Sequence, residues 1–175
     1  KRKATETFTV NLMKAFTRLN KVERIVDVPP RPPKPHVSPN GPMELEGKNE
    51  PNRMTPYEHQ RLAWRKLDEL ANGSGRRACL LVLPTGAGKT FTMVVWLLRQ
   101  LAKDPEARVL WVADQQELVE QAARVFAELA PTMPVGTIRQ MRVLHGAAGS
   151  VSHLASDSLD VACVTRQSVV GARFN

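Results

Sequence analysis

Apolar residues recur along this chain with two distinct rhythms. Phe8, Leu12, Ala15, Phe16, Leu19, Val22 and Val26 fall three or four apart, which predicts a helical arm over residues 1–27 with a single apolar stripe. The apolar face calls for a partner, as an arm docked on the rest of the protein or the end of an upstream domain; Lys14, Arg18, Lys21 and Arg24 share the polar surface, which leaves a membrane-surface helix as a weaker alternative. Residues 28–54 break the pattern. Pro29-Pro30-Arg31-Pro32-Pro33-Lys34-Pro35 predicts an extended spacer, and Pro39, Gly41, Pro42, Gly47 and Pro51 continue the interruption. From Thr55 onward the two rhythms alternate. A helix is expected from about Pro56 to Ala71, with Trp64 and Leu67 on its buried face and Asn72-Gly73-Ser74-Gly75 ending it. Ala78–Leu83 is a short uninterrupted apolar run, expected to be a buried strand. A helix then runs to about Ala102, and Val109–Ala113 is a second buried strand. The next helix continues through Leu129, with Asp114 expected as its cap and Glu117 three residues on closing that cap. Arg142-Val143-Leu144 predicts a short strand, residues 146–158 a loop, and Asp160–Thr165 a last strand, with a helix beginning near Gln167.

Such alternation predicts an α/β fold: an open, mostly parallel sheet with flanking helices. Residues 55–175 are the expected domain, preceded by the arm and the Pro-rich linker. Sheets of this kind bind ligands at the carboxyl ends of their strands. Three polar clusters are expected along that rim: the turn after Leu83, Asp114-Gln115-Gln116, and Thr165-Arg166-Gln167.

Composition narrows the class. A hydrophobic share of 42% in 175 residues is ample for one core. No stretch approaches the roughly 18 apolar residues of a membrane span, so no membrane partner is expected. The chain begins at Lys1 with neither an initiator Met nor a signal-peptide pattern, and is expected to belong to a longer, cytoplasmic protein. Cys79 and Cys163 both lie in apolar runs and are expected to be small core residues in a reducing compartment. His36, His59, His145 and His153 show no metal-ligand spacing. The net charge of +8 suits a polyanion, although it is unevenly spread: residues 1–56 hold 11 Lys and Arg against 6 Asp and Glu, and residues 57–175 hold 14 against 11.

The chemistry concentrates in Leu83-Pro84-Thr85-Gly86-Ala87-Gly88-Lys89-Thr90, between the first expected strand and its helix. An apolar strand, a glycine turn, Gly-Lys-Thr and a helix, in that order, form a phosphate-binding loop. Gly86 and Gly88 let the backbone curl so that several N–H groups face one anion, and the helix directs its unpaired N–H groups to the same place. Lys89 is positioned for the β- and γ-phosphates and Thr90 for Mg2+. Thr85 to Phe91 thus bracket the expected nucleotide contacts. One departure is present: the usual pattern opens on a glycine, where this chain has Leu83.

At this point the ordered motifs resemble the first motor domain of superfamily two helicases and translocases, in the DEAD/DEAH-type branch that includes restriction-enzyme motor subunits. The resemblance runs from Thr55 to about Val170. It implies an incomplete RecA-like P-loop NTPase fold, ATP and Mg2+ as cofactors, and a nucleic-acid partner, DNA in preference to RNA. Tyr57-Glu58-His59-Gln60-Arg61-Leu62-Ala63 looks like the family's glutamine motif, which implies Gln60 as a reader of the adenine edge with Tyr57 or Arg61 flanking the base. Asp114-Gln115-Gln116 and Thr165-Arg166-Gln167 are similar to two motifs that contact the nucleic-acid backbone. The family commonly has Arg where this chain has Gln115. The resemblance also implies a second motor domain, with accessory subunits and a role in restriction or defence.

The family hydrolyses ATP with a Walker B Asp-Glu that follows an apolar strand. Here Asp68-Glu69 is the Asp-Glu pair, and it precedes the phosphate loop on the first expected helix. The acidic pair is expected beyond Asn175, and these 175 residues alone are expected to bind nucleotide with negligible hydrolysis. Two other readings compete: a P-loop enzyme of another class, such as a small-molecule kinase or a switch GTPase, and a non-catalytic nucleotide-binding scaffold. The Asn-Lys-x-Asp of a GTPase does not occur.

Overall fold

The computed structural model describes residues 41–75, 78–144 and 159–170. The expected arm over 1–27, the linker as far as residue 40, the loop over 146–158 and residues 171–175 lie outside the described residues, as do His36, His145 and His153.

Three amphipathic helices form where the apolar period predicts them. Helix α1 spans Glu58–Ala71, α2 Lys89–Lys103 and α3 Gln116–Leu129. A short α4 covers Arg166–Val170. Strands β1 (Pro42–Glu46), β2 (Val109–Ala113), β3 (Ile138–Leu144) and β4 (Val161–Thr165) make one open sheet in the order β1-β3-β4-β2. Strands β3, β4 and β2 run parallel, and β1 joins antiparallel on the β3 edge.

The core lies between α2, α3 and one sheet face. Val94, Leu98 and Leu101 of α2 meet Val119, Ala123 and Phe126 of α3 over Met141, Val143, Val161 and Cys163 of the sheet. Trp111 of β2 meets Phe126 edge-on at 6.1 Å, the arrangement the ring quadrupoles favour. On the opposite sheet face Leu144, Ala162 and Val164 form a smaller cluster with Leu159 and Val169. Strand β4 is consequently buried on both faces, while β2 exposes Leu110 and Val112. Helix α1 is fastened to α2 through polar contacts. Trp64 Nε1 donates to the Thr92 carbonyl at 2.7 Å, Trp96 Nε1 donates to Asp68 Oδ1 at 2.8 Å, and the Arg99 guanidinium lies 4.4 Å over the Trp64 ring.

Four expectations need correction. Ala78–Leu83 is not a strand: it pairs with nothing in the sheet, and Leu80 and Val82 are 87% and 76% exposed. An apolar run signals a preference for burial, but a strand also needs ladder hydrogen bonds, and this segment makes none with the described strands, although β2 lies at an edge of the sheet. The segment runs instead beside α1, leaving a groove of about 740 Å³ lined by Leu62, Leu67, Leu80 and Val82. Cys79 on it is accordingly exposed, while Cys163 is buried as expected.

The later part of the expected linker carries β1. Met43 and Leu45 alternate with polar neighbours, and Leu45 is 1% exposed. Pro42 is tolerated because it is the first residue of an edge strand. Gly47 follows it so closely against the chain that a Cβ there would lie 2.2 Å from the Pro134 carbonyl oxygen. Strand β3 is longer than the expected 142–144 because β1 pairs along 138–142 and supplies the ladder that its polar residues conceal in the sequence.

Among the described residues no helix is long and apolar enough to cross a membrane.

Candidate nucleotide site and nucleic-acid rim

The loop ahead of α2 is built by its glycines. Gly86 has φ +81° and Gly88 φ +76°, both in the left-handed region where a side chain is strained. Gly88 is the N-cap of α2, with no side-chain cap; the Thr92 N–H and hydroxyl both return to the Gly88 carbonyl, at 2.8 and 2.9 Å. The first-turn N–H groups of α2 are therefore left without a capping side chain, which is the condition for binding an anion there. Ala87 N–H closes the turn onto the Pro84 carbonyl at 3.2 Å. Lys89 is exposed, and its Nζ donates to the Leu83 carbonyl at 2.8 Å, so the ammonium folds back over its own loop. Thr90 is half-buried, as is Phe91, which tilts against Trp64 with centroids 6.4 Å apart.

Helix α1 holds this loop from the side. Gln60 is 4% exposed. Its Oε1 accepts from the Tyr57 N–H at 3.0 Å, the reach-back of an N3 residue to its own helix start. Its Nε2 donates to the Ala87 carbonyl at 3.3 Å. His59 Nε2 meets the same carbonyl at 3.1 Å. A trans peptide points its C=O and the following N–H in opposite directions, so fixing the Ala87 carbonyl on α1 turns the Gly88 N–H away from α1. The fit at Gly88 is close: a Cβ there would lie 2.7 Å from Gln60 Nε2. His59 was not among the expected site residues; its one sequence signal is adjacency to Gln60. Its ring stacks on Tyr57, with centroids 5.6 Å apart and planes 10° from parallel. Tyr57 remains 69% exposed and presents a flat aromatic surface beside the loop.

The other two clusters meet at one edge. Parallel pairing of Ala113 with Thr165 brings the carboxyl ends of β2 and β4 side by side. Asp114 does not cap α3. The N-cap is Gln115, with no side-chain cap, because Asp114 is drawn across to Arg166, whose Nε lies 2.5 Å from Asp114 Oδ1. Glu117 stays in the first turn, where a negative charge suits the helix dipole. Gln115 and Gln167 are exposed. Gln116 Nε2 donates to Glu120 one turn on, at 3.1 Å. Thr165 is 6% exposed and its hydroxyl is shared with Ser168 Oγ at 2.8 Å, so it organises the start of α4. The hydrogen bonds of the phosphate loop run within the loop and to α1; among the described residues none joins it to the β2–β4 edge.

An open, mostly parallel sheet flanked by helices, with a Gly-x-Gly-Lys-Thr turn opening a helix, defines a RecA-like P-loop NTPase. The chain belongs to the family of type III restriction enzyme res subunits, which matches residues 53–173. It is therefore a member of a helicase-like family of ATP-dependent nucleic-acid enzymes. No curated protein and no solved structure gives a match.

Proposed function

We propose that this chain binds ATP with Mg2+ at Gly86–Thr90 and grips a nucleic-acid backbone, DNA in preference to RNA, as part of an ATP-driven translocase or helicase. The left-handed Gly88 at the head of a 15-residue helix is the observation that carries this reading. Gly86, Ala87 and Gly88 would offer main-chain N–H groups to the phosphates, with Thr85 and Phe91 at either end of the cradle. Lys89 would exchange the Leu83 carbonyl for the β- and γ-phosphates, a stronger partner for an ammonium. Thr90 would hold Mg2+, which neutralises phosphate charge when bound.

Tyr57 gives the base a surface to stack on. Gln60 keeps one N–H and one oxygen lone pair after its two bonds, which is the donor–acceptor pair an adenine edge requires. Gln115, Gln116, Arg166 and Gln167 would line the nucleic-acid backbone, with Thr165 and Asp114 setting their frame. Helix α3 opens at this edge, and its unsatisfied N–H groups favour a phosphate. No Asp-Glu pair stands after an apolar strand in these residues, so hydrolysis would need acidic groups from elsewhere in the assembled motor, along with a second motor domain.

Thermal melting of the chain with Mg2+ and either ATP or GTP tests the reading. ATP should raise the midpoint and GTP should raise it less, because guanine reverses the edge that Gln60 would read. Equal shifts would remove Gln60 as a base reader, and no shift with either nucleotide would remove the site.

A further inference from the structure

We infer that Asp114 is an internal stand-in for a nucleic-acid phosphate on Arg166, which a polynucleotide must displace before the rim closes on it. The inference rests on the proposed nucleic-acid rim and adds a competitor to it. Asp114 and Arg166 are the residues that immediately follow the paired Ala113 and Thr165, so strand register alone sets them opposite each other. The Arg166 Nε and the Asp114 carboxylate are in direct contact, as a charge-assisted hydrogen bond requires. Both side chains nonetheless remain open to solvent, at 66% and 71% exposure for Arg166 and Asp114. The pair is thus close enough to aim the guanidinium and accessible enough to be displaced.

The arginine is only partly occupied. Nε alone meets the carboxylate, and the two terminal amino groups form no bond to a described residue. A phosphate approaching those groups would arrive beside the Asp114 carboxylate and be repelled by it. The same carboxylate also stands two residues before Gln116, at the positive end of α3. Neutralising Asp114 should release the guanidinium.

Anisotropy of a labelled single-stranded DNA of about 20 nucleotides, titrated with the chain over a range of salt, reads this directly. Asp114→Asn should bind about two- to five-fold tighter than wild type, the range an exposed ion pair commands. Glu117→Gln removes the same charge one turn away without touching Arg166 and should give less than half that gain. Arg166→Ala should weaken binding and lower the salt slope by about one. In the Arg166→Ala background the Asp114→Asn gain should disappear. Far-ultraviolet circular dichroism of each variant checks that the fold is retained. If Asp114→Asn binds no tighter while Arg166→Ala binds more weakly, the competitor role is overturned and the rim stands. A gain that persists without Arg166, or that Glu117→Gln matches, overturns the pairing in favour of general charge. If Arg166→Ala binds as wild type does, the rim itself is wrong and the inference falls with it.

Discussion

Gly88 and Cys163 show how one residue's surroundings fix its chemistry. At Gly88 two costs coincide, a left-handed backbone and a neighbour 2.7 Å from where a Cβ would stand. Gly86 carries only the first cost, since nothing lies within 4 Å of its added Cβ. Gly88→Ala should therefore destabilise the chain by about 1–3 kcal/mol and loosen the tether between Gln60 and Ala87, with Gly86→Ala the milder of the two. Urea melts of the two variants check the order, and equal losses would mean that the Gln60 contact contributes nothing. Burial pushes the Cys163 thiol from 9.0 up to about 12. In the unfolded chain that thiol ionises near 9, while in the folded chain it stays protonated. Its contribution to stability is thus complete below pH 9 and is lost as pH rises from there toward 12. A thiol reagent at pH 8 should modify exposed Cys79 within minutes and leave Cys163 untouched until the chain unfolds.

Among the elements, α2 depends on a guanidinium at its far end. Arg139 of β3 reaches across to donate to the carbonyls of Leu101, Asp104 and Pro105, and it pairs with Asp160 at 3.5 Å. Only 12% of its side chain is exposed. The orphan carbonyls at the end of α2 are thereby satisfied by a cation, as the helix dipole favours. Arg139→Ala should cost about 2–3 kcal/mol in chemical denaturation, since it removes charge-assisted bonds to three carbonyls, that of Leu101 part-buried. Arg139→Lys should recover less than half, because one ammonium cannot reproduce the fork.

None of this was legible in the sequence, where Arg139 stands in a mixed polar and apolar stretch between Thr137 and Arg142. What was legible is local. The helices 58–71, 89–103 and 116–129 announce themselves by a period of three to four, and the phosphate loop by glycine spacing. The rest depends on partners distant in sequence. Arg166 meets Asp114 across 52 positions and His59 meets Ala87 across 28, and no local pattern encodes either. Strand β1 was hidden because prolines and glycines surround its short alternation. Ala78–Leu83 misled in the opposite sense, having the composition of a strand while making no ladder bonds to the described strands.

For the molecule as a whole, the sheet is a frame that would hold the two proposed sites apart. The phosphate loop is tied to α1, and the β2–β4 edge carries Asp114 and Arg166. Strand β1 extends the opposite flank, where Gly47, Lys48, Asn49 and Glu50 are hydrogen-bonded through their N–H groups to the carbonyls of Thr137, Pro131 and Met133. An ATP-driven motor needs such a division, since nucleotide and polynucleotide must each be held while the other is exchanged. The first of those grips is the more exposed to refutation. Isothermal titration of Mg-ATP into the chain and into Lys89→Ala tests it most directly. The account predicts saturable binding to the wild type and at least a tenfold loss of affinity in the variant, roughly the 1.4 kcal/mol or more expected for one charge-assisted phosphate contact. Equal affinities for the two proteins would contradict it.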